Sequence, residues 1–220
     1  MSQCLTNKYK ALFLDLDGTI LDTLEDLKDA VNFALVTKGF KPRTNQQIIN
    51  SIGHGSYHLI KTSLPENIDE KTYLETFNTY KNYYKNHADI KTSVYPGVLD
   101  LLTKFKQNGG KIALITNKPH EIATNLIHTY FGDLFDAIYG HSDIYPAKPN
   151  PYTIQLALND LSLSKEDVLF IGDSYVDYDT ANNASLDCLI CSYGFESKES
   201  LISKSVSPII DSFYEVEAYL

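Results

Sequence analysis

Two aspartates two residues apart, Asp15 and Asp17, close the apolar run in ALFLDLDGTILDT (residues 11–23). The end of an apolar strand is an unfavourable place for paired carboxylates unless something binds them, because burial penalises the ionised form and like charges raise each other's pKa. Residues able to join them finish other apolar runs. Thr116 and Asn117 follow KIALI, Asp173 follows DVLFIG with Asp177 just beyond, and Lys148 lies in PAKPNP on a loop before a helix. Ligands of open α/β sheets bind at the carboxyl ends of the strands, so these residues are read as one group.

In that group four carboxylates face at most one lysine. A divalent cation resolves the imbalance, and all-oxygen ligands favour Mg²⁺, which takes one or two carboxylates and completes its shell with waters and substrate phosphate. The expected partner is a small phosphorylated metabolite. Asp15, on the rigid strand, is placed to attack phosphorus and form an aspartyl-phosphate. Asp17 is placed to protonate the leaving oxygen and then to activate water. Thr116, Asn117 and Lys148 can donate to phosphate oxygens and offset their charge. Gly18 lets the chain turn sharply out of the strand and Thr19 bonds back to steady the loop, which brings both into the phosphate-binding set.

The elements that must position these residues are legible in the hydrophobic pattern. Short apolar runs at 10–15, 111–116, 136–140, 167–173 and 187–192 read as strands buried on both faces, and helical patterns lie between the later ones. The alternation predicts a parallel α/β sheet, a Rossmann-like core. From about Asp22 to Thr92 the alternation stops and the pattern is helical throughout. The fold class is therefore an α/β core (1–21 and 93–220) with an inserted all-helical subdomain (22–92) after strand 1. Leu24, Leu27, Val31 and Leu35 form one apolar stripe, with Thr23 and Asp26 as its expected cap and Gly39 as its end. Thr44 and Gln47 make a second capping box, and a third helix carries Tyr73, Phe77, Tyr80 and Tyr84 as a packing seam.

Composition bounds the remaining choices. A chain of 220 residues with 43% hydrophobic and 21% charged residues is long enough for a real core and matches an ordinary globular protein. A formal charge of −9 with no basic tract disfavours nucleic acid and anionic membrane surfaces as partners. The polar start and the four-residue first apolar run predict neither a signal peptide nor a membrane span, and hence a cytoplasmic protein, monomer or homodimer. Three cysteines argue against a disulfide framework. Cys188 and Cys191 form a C-x-x-C pair, but on a strand positions i and i+3 face opposite sides, so buried reduced thiols are expected rather than a chelate. His54 and His58 are spaced i, i+4 with no third ligand near and with glycines around them.

The ordered motifs resemble the haloacid dehalogenase superfamily, in particular its phosphoglycolate phosphatase branch. DLDGT (15–19), TN (116–117), KP (148–149) and GDSYVD (172–177) are similar to its four motifs, over nearly the whole chain. The resemblance implies a Mg²⁺-dependent phosphoric monoester hydrolase with Asp15 as nucleophile, Asp17 as acid and base, and Thr116 and Lys148 as phosphate ligands. It also implies Mg²⁺ ligation by Asp15, Asp17 (through its backbone carbonyl) and Asp173, with Asp177 in support. Residues 22–92 then resemble a four-helix cap that closes over the site, with 2-phosphoglycolate as the leading substrate. A carboxylated substrate calls for a cationic or amide-rich cap face, for which Lys61 and Arg43 are available, while His54, Gly55 and Ser56 at the cap tip are the expected specificity contacts. Ser185 departs from the glycine usual in that branch. Hydrolysis of nucleotides or pyrophosphate, and sugar-phosphate mutase activity, share the same core residues; a non-catalytic binding protein would have lost Asp15 or Asp17.

Overall fold

The run Ala11–Leu14 (β1) is wholly buried, as an apolar strand covered on both faces must be. The computed structural model describes residues 8–142 and 144–220. Cys4 and the first seven residues of the expected core segment 1–21 lie outside the described residues. After β1 come β2 (Leu21–Asp22) and four helices, α1 (Leu24–Thr37), α2 (Asn45–Ile49), α3 (Gly55–Ser63) and α4 (Glu70–Tyr84). Then follow β3 (Ser93–Val94), α5 (Val98–Gln107), β4 (Lys111–Pro119), α6 (His120–Phe131), β5 (Ala137–His141) and α7 (Tyr152–Asp160). The chain continues through β6 (Val168–Gly172), α8 (Tyr175–Ala184), β7 (Asp187–Cys191), α9 (Lys198–Ser203) and β8 (Ile209–Ile210).

Six strands form one sheet in the order β5-β4-β1-β6-β7-β8, every neighbouring pair parallel. Alternation along β1 feeds two cores. Leu12 and Leu14 pack with Leu102 and Phe105 of α5 and Leu126 and Ile127 of α6. Phe13 packs with Ile154 and Ala157 of α7 and Ala181 of α8 on the other face. Strands β4, β1 and β6 are therefore adjacent, which gathers the ends of three expected strands at one edge. Cys188 and Cys191 join opposite cores and are free and buried. Burial pushes the Cys188 thiol up to about 11, so it stays a protonated, unreactive core residue at neutral pH. The short strand β8, the two residues directly after Pro208, has no counterpart among the expected strands. Ser185 ends α8 in the left-handed conformation at φ +59°, a position that favours glycine.

Helices α1 to α4 enclose a core of their own, built from Leu27, Val31 and Leu35 with Ile60, Tyr73, Tyr80 and Tyr84. The antiparallel ribbon β2–β3, pairing Leu21 with Val94 and Asp22 with Ser93, carries the chain out of the sheet and back. Thr44 and Gln47 form the expected capping box. Thr23 does not cap α1, contrary to expectation: its side chain makes no cap hydrogen bond, because its hydroxyl donates to Asp17 Oδ1 at 2.6 Å instead. Asp26 is likewise used at long range. Its buried carboxylate accepts from the Lys91 and Thr92 backbone amides and from the Thr92 hydroxyl, all within 3.0 Å. That clamp ties the outgoing and returning chains at the base of the insertion. Asp26→Ala strands buried N–H groups at 1–3 kcal/mol each, so urea denaturation is expected to show a loss of about 3 kcal/mol. An unchanged midpoint would mean the clamp contributes nothing.

Candidate active site

The loop after β1 sends its two aspartates in different directions. Leu16 O accepts from the amides of Thr19, Ile20 and Leu21 at 3.3, 3.1 and 3.0 Å, closing a tight turn. Gly18 holds φ +86°, and a Cβ there would collide with the Asp173 carboxylate, so the turn admits only glycine. Asp15 is buried with its Oδ1 2.8 Å from Lys148 Nζ. Asp17 turns to other partners, and its Oδ1 accepts from Thr23 Oγ1 and from Lys118 Nζ, each at 2.6 Å.

The surrounding elements fix the rest. Asn117, near the end of β4, holds Lys148 from both sides, its Oδ1 accepting from the Lys148 amide at 2.8 Å and its Nδ2 donating to the Lys148 carbonyl at 3.1 Å. The same Nδ2 donates to Gly53 O at 2.8 Å, which joins the insertion to the sheet. The Asn117 side chain is thus committed to positioning. Lys148 Nζ in turn reaches Asp177 Oδ1 at 2.6 Å. Asp177 is the third residue of α8, and its Oδ2 accepts from Ser174 Oγ at 2.6 Å within a capping box. Asp173, past β6, accepts from Thr19 Oγ1 at 3.1 Å and from the Phe195 amide at 2.8 Å. Thr19 therefore steadies Asp173, while Thr116 Oγ1 accepts from the Lys118 amide at 3.2 Å. Asp15, Asp17, Thr116, Asn117, Lys118, Lys148 and Asp173 border one cavity of about 460 Å³, which His54, Gly55 and Ser56 also line; Gly18, Thr19 and Asp177 stand behind that wall.

Asp15, Asp173 and Asp177 present oxygens within 4.8 Å of one another, all buried. Burial pushes the Asp15 carboxyl up to about 6, a rise that Lys148 limits and Asp177 adds to. Burial, then Asp177 and Asp15, hold Asp173 well above the usual carboxylate range. Burial works to lower the Lys148 ammonium, but Asp15 and Asp177 outweigh it and raise it above the ordinary lysine value. Asp15 binds its proton more tightly folded than unfolded, so without a cation the fold loses stability as pH rises from near 3.8 through about 6. Two buried ammonium groups, Lys118 and Lys148, stand among four carboxylates, Asp15, Asp17, Asp173 and Asp177. The charge left over matches one divalent cation, and an all-oxygen donor set suits a hard one. The residues present fit such an ion.

The site holds two lysines where one was expected. Lys118 has a side chain only 2% exposed and bonds both Asp17 and, at 2.6 Å, the Tyr84 hydroxyl. The signal for it was its position two residues after Thr116 on the same strand, which a period of two places on the same face. The aromatic seam of α4 packs as expected, with Tyr73, Phe77, Tyr80 and Tyr84 stacked in succession, yet Tyr80 and Tyr84 also line the cavity. Lys61 and Arg43 do not line it. Lys61 is exposed, and Arg43 Nε is spent on the Ser63 carbonyl at 2.9 Å. His54 stands exposed, its ring edge-on to His58 with centroids 5.0 Å apart.

Known proteins resemble this chain in sequence and in fold. The family model described as haloacid dehalogenase-like hydrolase matches residues 12–191. A phosphoglycolate phosphatase of Psychrobacter arcticus is 31% identical over 218 residues, 95% of this chain and 94% of that one. One from Cereibacter sphaeroides is 37% identical over 186 residues, 82% of this chain and 84% of that one. The crystal structure of a candidate phosphoglycolate phosphatase from Lactobacillus delbrueckii subsp. bulgaricus superposes with a TM-score of 0.89 at 31% identity, covering 97% of this chain and 99% of that one.

Proposed function

Because the chain belongs to the haloacid dehalogenase-like hydrolase family, we propose that it is a Mg²⁺-dependent phosphatase that hydrolyses a small phosphate monoester, 2-phosphoglycolate foremost, through an aspartyl-phosphate on Asp15. One observation carries the reading: two carboxylates two residues apart border one cavity with different partners, Asp15 beside Lys148 and Asp17 beside Lys118 and Thr23. Different surroundings suit different tasks, a nucleophile and a proton carrier.

The steps follow from those positions. An Asp15 oxygen attacks phosphorus while the ester oxygen departs and takes a proton from Asp17. The alcohol leaves, and a water molecule gives its proton back to Asp17 as its oxygen attacks the acyl phosphate, releasing inorganic phosphate and restoring Asp15. Lys148, with Thr116, holds and neutralises the phosphoryl oxygens. Asp15, the Asp17 carbonyl and Asp173, with Asp177 beside them, would hold a Mg²⁺ ion, which would supply further positive charge for the phosphoryl group. Asn117 keeps Lys148 in place, and Gly18 and Thr19 keep Asp173 in place. Helices α1 to α4 act as a cap that excludes bulk water. The free thiols Cys188 and Cys191 suit a reducing compartment, and we place the enzyme in the cytoplasm.

The cavity of about 460 Å³ is of the size that takes drug-sized ligands, which favours a second reading with larger leaving groups such as nucleotides or sugar phosphates. A panel of 2-phosphoglycolate, sugar phosphates, a nucleoside monophosphate and pyrophosphate, ranked by kcat/KM with Mg²⁺, separates them. We expect 2-phosphoglycolate to lead. A flat ranking, or one led by a nucleotide, would keep the chemistry and remove that substrate.

A further inference from the structure

The phosphatase reading leaves one buried cation without a task. Lysine carries three N–H donors, and Lys118 uses two of them, on Asp17 and on the Tyr84 hydroxyl. Its side chain is 2% exposed, so bulk water does not serve the third, and Lys118 borders the cavity. Beside it the Tyr80 hydroxyl is buried, borders the same cavity and, although near Ser56, makes no hydrogen bond of ordinary geometry among the described residues. A buried donor without a partner is costly unless a ligand supplies one. Burial, assisted by Tyr84, holds the Tyr80 phenol well above its ordinary value, so it remains an O–H donor.

The other cations on the cavity wall are engaged. Lys148, paired with Asp15 and Asp177, already has its task at the phosphoryl group. Lys204 pairs with Glu196 at 2.6 Å and is half exposed, with a side-chain accessibility of 44%. Lys118 is also the cation in contact with Asp17, the group that serves the leaving oxygen. An acidic group one carbon from that oxygen comes within reach of Lys118, whereas a distant one does not. We propose that the Lys118 ammonium and the Tyr80 hydroxyl form the receptor for a carboxylate on the leaving group, and so select phosphate esters of 2-hydroxy acids over neutral alkyl phosphates. The inference rests on the phosphatase reading and deepens it. One half of the receptor comes from the sheet and the other from the insertion, so the carboxylate bridges the two.

The test compares kcat/KM for 2-phosphoglycolate with that for 2-hydroxyethyl phosphate, which carries an uncharged group in place of the carboxylate, in the wild-type, Lys118→Met and Tyr80→Phe proteins. The wild type is expected to prefer the carboxylated ester. Lys118→Met should lower the ratio of the two values by about 10- to 100-fold, the range for a hydrogen bond to a charged group. Tyr80→Phe, which keeps the ring and guards against misfolding, should lower it several-fold. Equal losses on both esters would mean that Lys118 acts only through Asp17, and would overturn the receptor. A wild type that hydrolyses both without preference also overturns it and leaves the phosphatase reading standing. A wild type that releases phosphate from neither ester overturns that reading, and the receptor with it.

Discussion

Asp15→Asn protein is expected to release phosphate from no ester at more than about a thousandth of the wild-type rate, the scale seen when a nucleophile is removed from a working site. The change keeps shape and volume but removes the anionic oxygen that attacks phosphorus. It should not unfold the protein. Burial already disfavours the Asp15 charge, with its carboxyl pushed up to about 6, and Lys148 keeps Asp177 at 2.6 Å as a partner. A thermal melt without added cation is therefore expected to show Asp15→Asn no less stable than the wild type. Phosphate release that survives this change would contradict the assignment of Asp15.

Asp17→Asn is expected to behave differently in both respects. Turnover of an alkyl phosphate should fall by about 10²- to 10⁴-fold, as for loss of a general acid and base. An aryl ester such as p-nitrophenyl phosphate needs no proton to lose its phenolate, so its first step survives while hydrolysis of the acyl phosphate slows. Stopped-flow absorbance should then show a burst of about one nitrophenolate per active site followed by slow turnover. Stability should drop as well, because Lys118, with a side chain 2% exposed, loses its charged partner. Unpairing a buried ion costs about 3–5 kcal/mol, and a melting temperature equal to that of the wild type would show that Tyr84 alone satisfies the ammonium.

The sequence was readable where chemistry depends on local pattern. The apolar runs ending at Asp15, Thr116 and Asp173 became β1, β4 and β6 because fully buried parallel strands are continuously apolar, and their adjacency gathers the acidic residues without further information. Where a residue had a choice of partners, local rules failed. Thr23 and Asp26 have the spacing of a capping box, but Asp17 competes for the first and the Lys91–Thr92 amides for the second, across 6 and more than 60 residues. A lysine at a strand end reads as surface, whereas Lys118 is enclosed by long-range partners, the Tyr84 ring and hydroxyl and the Asp17 carboxylate. The rings of Tyr80 and Tyr84 followed the helical period, whereas the destination of their hydroxyls depended on how the insertion lies against the sheet. Strand β8 is two residues long and offers no periodicity to detect.

A covalent step on Asp15 separates this mechanism from direct attack of water on the ester. Asp17→Asn protein, mixed with p-nitrophenyl phosphate and Mg²⁺ and quenched in acid during the burst, can be digested and read by mass spectrometry. A phosphoryl group is expected on the peptide containing Asp15, lost on treatment with hydroxylamine as an acyl phosphate is. Release of nitrophenolate with no phosphoryl group on the protein, or with that group on any other residue, would contradict it.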